Sequence, residues 1–173
     1  NCVYDNTFVG PKNNLQEDLL IPALPNGGAH IFTASLFVGD TYRTEADLQA
    51  AGITQGGDGP TLTIQAGATL AFQTNSDFMI INRGSRIIAD GRADAPITLT
   101  SVSDINGTVG PEDVQQWGGV VINGFAVSNK CSYVGTRGDA GFALAPGTEC
   151  SIDAEGSAGD DESQYGGAND ADD

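Results

Sequence analysis

Short apolar runs broken by glycine fill the middle of the chain and predict β-strands joined by tight turns. Two of these stretches, "TLTIQAGATLAF" and "FMIINRGSRIIA", superimpose at an offset of 17 residues. The superimposed pairs are Ile64 with Ile81, Gly67 with Gly84, and Leu70 with Ile87. A looser third copy, "VVINGFAV", carries Ile122 into a further glycine turn.

Repetition of one apolar–glycine–apolar unit indicates a solenoid, in which each unit buries its apolar face on the next. The turns "NRGS" and "QAGA" lack the Asn-Gly or Asp-Gly pair that favours two-residue hairpins. We therefore expect an all-β, right-handed parallel β-helix rather than an antiparallel sandwich or barrel. Ile64 is expected to stack over Ile81, and Leu70 over Ile87. The predicted buried residues are Ile64, Leu70, Ile81, Ile87, Ile97 and Leu99.

The N-terminal part of the chain has a different pattern. Residues 1–29 show little periodicity and are expected to be irregular, and residues 30–40 are expected to form one strand. A short helix is predicted over residues 44–52, where Thr44 and Asp47 have the spacing of a capping box and a glycine ends the run.

These patterns divide the chain into three regions. Residues 1–60 are predicted to be an irregular N-terminal cap containing the one helix, and residues 61–130 to be the β-helix coils. Residues 131–173 are predicted to be a Gly/Asp-rich loop followed by an acidic C-terminal segment.

The formal net charge of −16 narrows the classes of partner. A strongly acidic surface repels nucleic acid and anionic membranes, so we expect neither nucleic-acid binding nor membrane insertion. The sequence also has no apolar run of the roughly 20 residues that a membrane-spanning helix requires.

Three cysteines bear on the compartment and on metal binding. Cys131 and Cys150 bracket a glycine-rich loop, and a disulfide between them is expected to hold it; two unpaired thiols are the alternative. A disulfide implies an oxidising compartment and leaves Cys2 as an odd thiol. The sequence has no C-x-x-C motif and a single histidine, His30, which argues against a zinc site.

The acidic segment is the best candidate for a ligand site. Calcium takes six to eight oxygen ligands, and carboxylates and Asn carbonyls supply them. A plain solvated tail is the alternative, so Ca²⁺ is the only cofactor that the sequence suggests. The candidate ligands are Asp160, Asp161, Asn169, Asp170 and Asp172.

Over residues 60–127 the sequence resembles secreted bacterial β-helix proteins of unassigned function. The shared phrase has the form I-x-x-G-x-x-I, then A-x-G-x-x-x-x-P-I-x-L-T-S, then W-G-G-V. Here it runs from Ile81 through "ADGRADAPITLTS" to Trp117 and "GGV". The resemblance implies a parallel β-helix and an extracellular or cell-surface location. It assigns no reaction.

Trp117, Arg83 and Arg86 are the residues that suggest a ligand platform. A tryptophan before two glycines stacks on sugars when exposed, or packs over a coil when buried. The two arginines flank the Gly84 turn and form either a cation cluster or a solvated turn. His30 has no serine, cysteine or second histidine near it in sequence, so no catalytic role is predicted for it.

These observations favour a non-enzymatic, extracellular structural or adhesive module. The alternative is a carbohydrate-active β-helix enzyme, resembling a polysaccharide lyase or hydrolase, or a sugar-binding module. The acidic C-terminal segment is too polar to cover an apolar coil. We therefore expect head-to-tail self-association, contact with another surface protein or a longer polypeptide, and strengthening of the junction by Ca²⁺.

Overall fold

The computed structural model describes residues 6–9, 14–155 and 163–168, and ten short strands in this part of the chain form three parallel sheets. Sheet A consists of β1 (Thr7–Val9), β3 (His30–Phe32), β6 (Thr69–Phe72) and β9 (Thr98–Ser101). Sheet B consists of β4 (Leu36–Val38), β7 (Phe78–Ile81) and β10 (Gly119–Ile122). Sheet C consists of β2 (Leu19–Ile21), β5 (Thr61–Ile64) and β8 (Arg86–Ile88).

From β2 onward the chain visits sheets C, A and B in that order, three times. We name these passages the first coil (β2–β4), the second coil (β5–β7) and the third coil (β8–β10). Every pairing between successive coils is parallel. The predicted all-β class with parallel sheets is therefore confirmed, and the hairpin alternative is excluded. The right-handed sense of the coil stays a prediction.

The predicted stacking of Ile64 over Ile81 is wrong. Ile64 pairs with Ile21 in sheet C, whereas Ile81 lies between Val38 and Ile122 in sheet B. The 17-residue repeat therefore relates two successive faces of the second coil rather than two coils. Its glycines, Gly67 and Gly84, mark corners, since both have a φ of 85°.

The predicted stacking of Leu70 over Ile87 is wrong for the same reason. Leu70 pairs with His30 and Leu99 in sheet A, and Ile87 pairs with Leu62 in sheet C. The looser third copy does stack, because Ile122 lies in register with Ile81. Each coil has three apolar faces. Sequence similarity between two faces of one coil can therefore be mistaken for similarity between two coils.

Two expectations for the N-terminal part are also wrong. The region taken as irregular contains β1 and β2, and residues 30–40 form two strands in different sheets, β3 and β4. The chain bends between these strands, so their apolar side chains belong to two faces of the first coil. The sheets thus continue across residue 60, and the division into three regions stays a prediction.

The predicted helix is confirmed as α1 (Glu45–Ala51), inserted between the first and second coils. The Thr44 side chain accepts from the Asp47 amide, and the Asp47 carboxylate accepts from the Thr44 amide. Gly52 ends the helix in the left-handed region, with a φ of 72°. Leu48 is buried and packs with Ile53 and Phe125, outside the sheets.

A second insertion separates β9 from β10 and begins with α2 (Val102–Ile105), which the sequence did not predict. Ser101 caps this helix by accepting from the Asp104 amide at 3.1 Å. Val102 and Ile105 pack on a small apolar cluster that includes Ile31 and Ala71 of sheet A.

Most of the core lies between the three sheets. Ile64, Leu70 and Ile81 are buried as predicted. Ile87, Ile97 and Leu99 are only partly buried, although they pack against the same core. All three residues belong to the third coil or its connections, and the third coil is the last layer of the stack within the described residues.

Two antiparallel pairs follow the coils. The first joins β11 (Tyr133–Val134) to β12 (Ala143–Leu144), and the second joins β13 (Ile152–Asp153) to β14 (Gln164–Tyr165). We refer to the described residues 128–155 and 163–168 as the C-terminal segment. The described residues contain no helix with the length and apolar character of a membrane span.

Candidate functional site

The third coil leaves interior positions open to solvent. In sheet B, Met79 and Ile81 of the second coil are 0% and 1% exposed. Their register partners in the third coil, Val120 and Ile122, are 40% and 65% exposed. β8, β9 and β10 are each the last strand of their sheet within the described residues. The outer edges of β8, β9 and β10, together with Trp117, form one surface. We call this surface the open end.

Trp117 forms the top of an aromatic stack inside the coils. Phe32 and Phe72 lie with ring centroids 5.1 Å apart, and the Phe72 and Trp117 centroids are 5.0 Å apart with ring planes 9° from parallel. Ser101 is the register partner of Phe72, but its side chain caps α2. The indole of Trp117 therefore packs on Phe72 in the third coil. Packing over a coil is thus the observed arrangement.

Gly118 allows the chain to approach the second coil closely after Trp117. A Cβ atom at Gly118 would lie 2.7 Å from the Phe78 ring, and the Gly118 amide donates to the Asp77 carbonyl at 2.9 Å. A larger residue would push the start of β10 outward. The glycine therefore helps to fix Trp117 over Phe72.

A groove of about 460 Å³ lies beside β8 at the open end. Ser85, Arg86 and Ile87 line one part of it, and residues 122–125 line another. Asn123 lies over Asn82, with 3.5 Å between Nδ2 and Oδ1, so the two corners superimpose. Beyond this point Phe125 packs against Leu48 and Ile53. We name this space the β8 groove.

Arg83 is buried, so the prediction that it belongs to an exposed ligand platform is wrong. It is 2% exposed, and Nη1 donates to Ser151 Oγ at 2.9 Å and to the Gly166 carbonyl. Nη2 donates to the Tyr42 carbonyl. Burial lowers the pKa of Arg83, and the negative charge of Glu45 opposes this shift. Arg83 thereby joins the second coil to the C-terminal segment.

Arg86 remains exposed at the start of β8, so the two arginines of the glycine turn have different environments. Arg86 Nη2 donates to the Gly56 carbonyl at 3.0 Å, in the loop before β5. No carboxylate among the described residues forms an ion pair with it. Arg86 therefore keeps charge available beside the β8 groove.

Residues 40–173, which include the second and third coils, match the family model described as a pectate-lyase-like beta helix domain. The chain belongs to that family. No curated protein and no solved structure matches the chain. Membership in the pectate-lyase-like β-helix family agrees with the parallel sheets and assigns no residue a catalytic role.

The predicted disulfide between Cys131 and Cys150 is confirmed, with 4.5 Å between the Cα atoms. It lies next to the residues that bind Arg83. Lys130 Nζ donates to the Ser151 carbonyl at 2.6 Å, and Ser128 Oγ donates to the Cys150 carbonyl at 2.6 Å. The disulfide therefore holds the C-terminal segment where it contacts the coils.

Glu149 joins the same segment to α1. Its carboxylate accepts from the Ser151 amide at 2.8 Å and from the Glu45 amide at 3.1 Å. Burial alone would raise the pKa of Glu149. These hydrogen bonds and the Lys130 charge outweigh burial, so the pKa lies below its ordinary value.

The predicted calcium ligands lie outside the described residues, as does Cys2. Within the described ranges, no group of three or more His, Cys, Asp or Glu side chains could hold a metal ion. Calcium binding therefore stays a prediction for this member of the β-helix family.

His30 is a buried residue of sheet A with both ring nitrogens engaged. Nδ1 lies 2.8 Å from Thr7 Oγ1, and Nε2 lies 2.8 Å from the Pro22 carbonyl oxygen. Because a carbonyl only accepts, Nε2 donates to Pro22, and Nδ1 shares a hydrogen bond with the Thr7 hydroxyl. This arrangement links β1 to the first coil and engages both ring nitrogens in hydrogen bonds within the protein.

The sequence predicted an uncovered last coil but did not identify Val120 and Ile122 as its exposed interior positions, although a signal was present. Ile81-Asn82 and Ile122-Asn123 share the same phrase, and they stack. The segment after Asn82 is "RGSRII", which supplies the next strand, whereas "GFAVSN" after Asn123 lacks that pattern. This contrast marks the place where, in the described chain, no strand follows β10 into sheet C as β8 follows β7.

Proposed function

We propose that this chain is a non-catalytic structural or adhesive β-helix module that acts outside the cell or on a bacterial surface. Its open end is completed by strands of a second copy or of another surface protein. The observation that carries the proposal is the 65% exposure of Ile122, whose register partner Ile81 is fully buried. An interior position exposed to this extent is suited to burial against another layer.

Backbone chemistry supports the same conclusion. The outer strands β8, β9 and β10 present N–H and C=O groups that pair readily with an added strand. A stack of coils gains stability from each added neighbour, because each layer buries the face of the one below. The disulfide between Cys131 and Cys150 is compatible with an oxidising extracellular compartment.

Light scattering after size-exclusion chromatography tests the association. We expect the chain to form oligomers whose mass rises with concentration, and Ca²⁺ to increase that mass by screening the −16 charge. Ile122→Arg should return the protein to a monomer. Val134→Arg is the matched control, because Val134 is 45% exposed on β11, outside the three parallel sheets and both of their edges.

The opposite result would show the assembly proposal to be wrong. The proposal is wrong if the folded protein is a monomer at every concentration, with and without Ca²⁺, and also forms no complex when it is mixed with candidate surface proteins. Equal oligomerisation of the wild type and Ile122→Arg would place the contact away from the open end.

A carbohydrate-active enzyme is the second candidate, and the family description favours it. Cleavage of polygalacturonate in the presence of Ca²⁺ tests it through the ultraviolet absorbance of unsaturated products. We expect no turnover. Turnover that persists on repurification and is lost with a substitution in this chain would replace the non-catalytic proposal.

A further inference from the structure

We propose that the β8 groove binds an extended peptide strand parallel to β8, with an acidic residue beside Arg86 followed by two apolar residues. This inference rests on the proposed function and deepens it, because it specifies the chemistry of the strand that completes sheet C. Recognition would occur by β-strand addition, in which backbone pairing supplies affinity and alternate side chains supply specificity.

The space for this strand arises where the chain leaves the coil. After β7, the corner from Asn82 leads directly into β8. After β10, the corresponding corner begins with Asn123, whose amide donates to the Ile81 carbonyl at 2.9 Å. The next residues turn outward, and Phe125 is buried against the α1 insertion. Within the described residues, nothing pairs with the outer edge of β8.

The register of sheet C specifies which side chains the strand needs. Leu19, Leu62 and Ile87 form one column, and Leu62 is fully buried. A residue added over Ile87 would therefore face the core and has to be apolar. Because side chains alternate along a strand, the residues on either side of it would lie outside, next to Arg86 and Ile88.

The two outward-facing positions of the added strand favour different residues: an acidic residue beside Arg86 and an apolar residue beside Ile88. Arg86 is exposed and has no carboxylate partner among the described residues, so an acidic neighbour forms a favourable cross-strand pair. Ile88 is 41% exposed, so an apolar neighbour buries surface on both strands. The preferred order is therefore acidic, apolar, apolar.

The first coil contains a strand with this order in the equivalent register. Asp18, Leu19 and Leu20 lie beside residues 61–63 of β5, and the Thr61 amide donates to Asp18 Oδ1 at 2.8 Å. A peptide with the sequence of residues 16–22, "QEDLLIP", is therefore a suitable probe, because the same sequence includes β2, the edge strand of sheet C opposite β8. In the groove it would meet Arg86 where β5 has Thr61.

Fluorescence anisotropy of the labelled peptide with the full chain tests the proposal. We expect saturable binding, weakened at least about five-fold by Arg86→Glu, because a favourable charge pair becomes a repulsive one. A peptide with Asp18→Lys should bind Arg86→Glu better than it binds the wild type. The matched control is Arg92→Glu, in an exposed arginine that pairs with Asp94 at 3.5 Å, and it should change affinity less than two-fold.

Several results would overturn the inference. They are no saturable binding up to about 1 mM peptide, equal affinity for the wild type and Arg86→Glu, or failure of the charge swap to restore binding. The proposed function is judged separately, by the oligomeric mass of the wild type and Ile122→Arg. Association without peptide binding refutes only this inference, whereas peptide binding by a strict monomer refutes only self-association.

Discussion

The second and third coils have the same kinds of residue in the same register, yet different burial. Ile81 and Ile122 are direct partners in sheet B, and both lead into a stacked asparagine. Ile81 is 1% exposed and Ile122 is 65% exposed. The difference arises because Ile81 has a coil on each side, whereas Ile122 has one on a single side in the described chain.

This comparison shows that burial in a stacked fold is a property of neighbours rather than of residue type. Each layer of a repeat structure contacts only the layers beside it, so an apolar residue in the last layer is buried by whatever comes next. The third coil is thus a partly completed version of the second. The predictions that follow test how far that difference holds in solution.

The largest expected effect separates Ile81→Ala from Ile122→Ala. Truncating the fully buried Ile81 should lower the free energy of unfolding by about 2–5 kcal/mol, through lost burial and a cavity. Truncating the exposed Ile122 should cost less than about 1 kcal/mol in the monomer. Urea unfolding of both variants at a concentration without association measures the difference. Equal losses would mean that another part of the chain covers Ile122.

A smaller difference is expected between Arg83→Met and Arg86→Met, on either side of one glycine turn. Arg83→Met leaves the Tyr42 and Gly166 carbonyls and Ser151 Oγ without their donor, at a net cost of about 2 kcal/mol. Part of this loss of stability is offset, because the uncharged methionine avoids the cost of burying the Arg83 charge. The exposed Arg86 should change stability by less than about 0.5 kcal/mol.

Hydrogen exchange distinguishes this mechanism from general destabilisation. In Arg83→Met, amides of the C-terminal segment should exchange faster than those of the second coil, because Arg83 connects the two. Uniform acceleration throughout the chain, or equal stability of the two variants, would contradict the role assigned to Arg83.

The same two arginines show what the sequence could and could not predict. Features that depend on residues close in sequence could be predicted: the Thr44–Asp47 capping box and the Cys131–Cys150 disulfide were predicted and are present. The burial of Arg83 could not be predicted from the sequence, because its partners Ser151 and Gly166 are 68 and 83 residues away along the chain. A charged residue at a glycine turn is normally solvated, and only distant chain segments change that.

The stacking register was hidden for a different reason. Glycine corners recur within a coil as well as between coils, so the 17-residue repeat did not reveal which strands are neighbours. Insertions of unequal length, around α1 and α2, also change the spacing from one coil to the next. The apolar character of Ile64, Leu70 and Ile81 predicted their burial correctly, because it does not depend on which coil covers them.

The smallest expected effect is a pH dependence confined to the C-terminal segment. Glu149 has a lowered pKa in the folded chain because it accepts from the Ser151 and Glu45 amides. A lowered folded-state pKa gives stabilisation that is fully present above the ordinary value of 4.5. It is lost as the pH falls through the folded-state pKa. Acidification below about pH 4.5 should therefore loosen the segment while the second coil persists.

Hydrogen exchange of the wild type and Glu149→Gln across that range measures the effect. Protonation of other carboxylates and the fall in net charge act on both proteins, so the difference between them isolates Glu149. The wild type should lose protection of the Ser151 and Glu45 amides on acidification, whereas the variant should start with less protection and change little. Glu17→Gln, in an exposed carboxylate before β2, is the matched control. Parallel pH profiles for the wild type and Glu149→Gln would show that Glu149 does not hold the segment to α1.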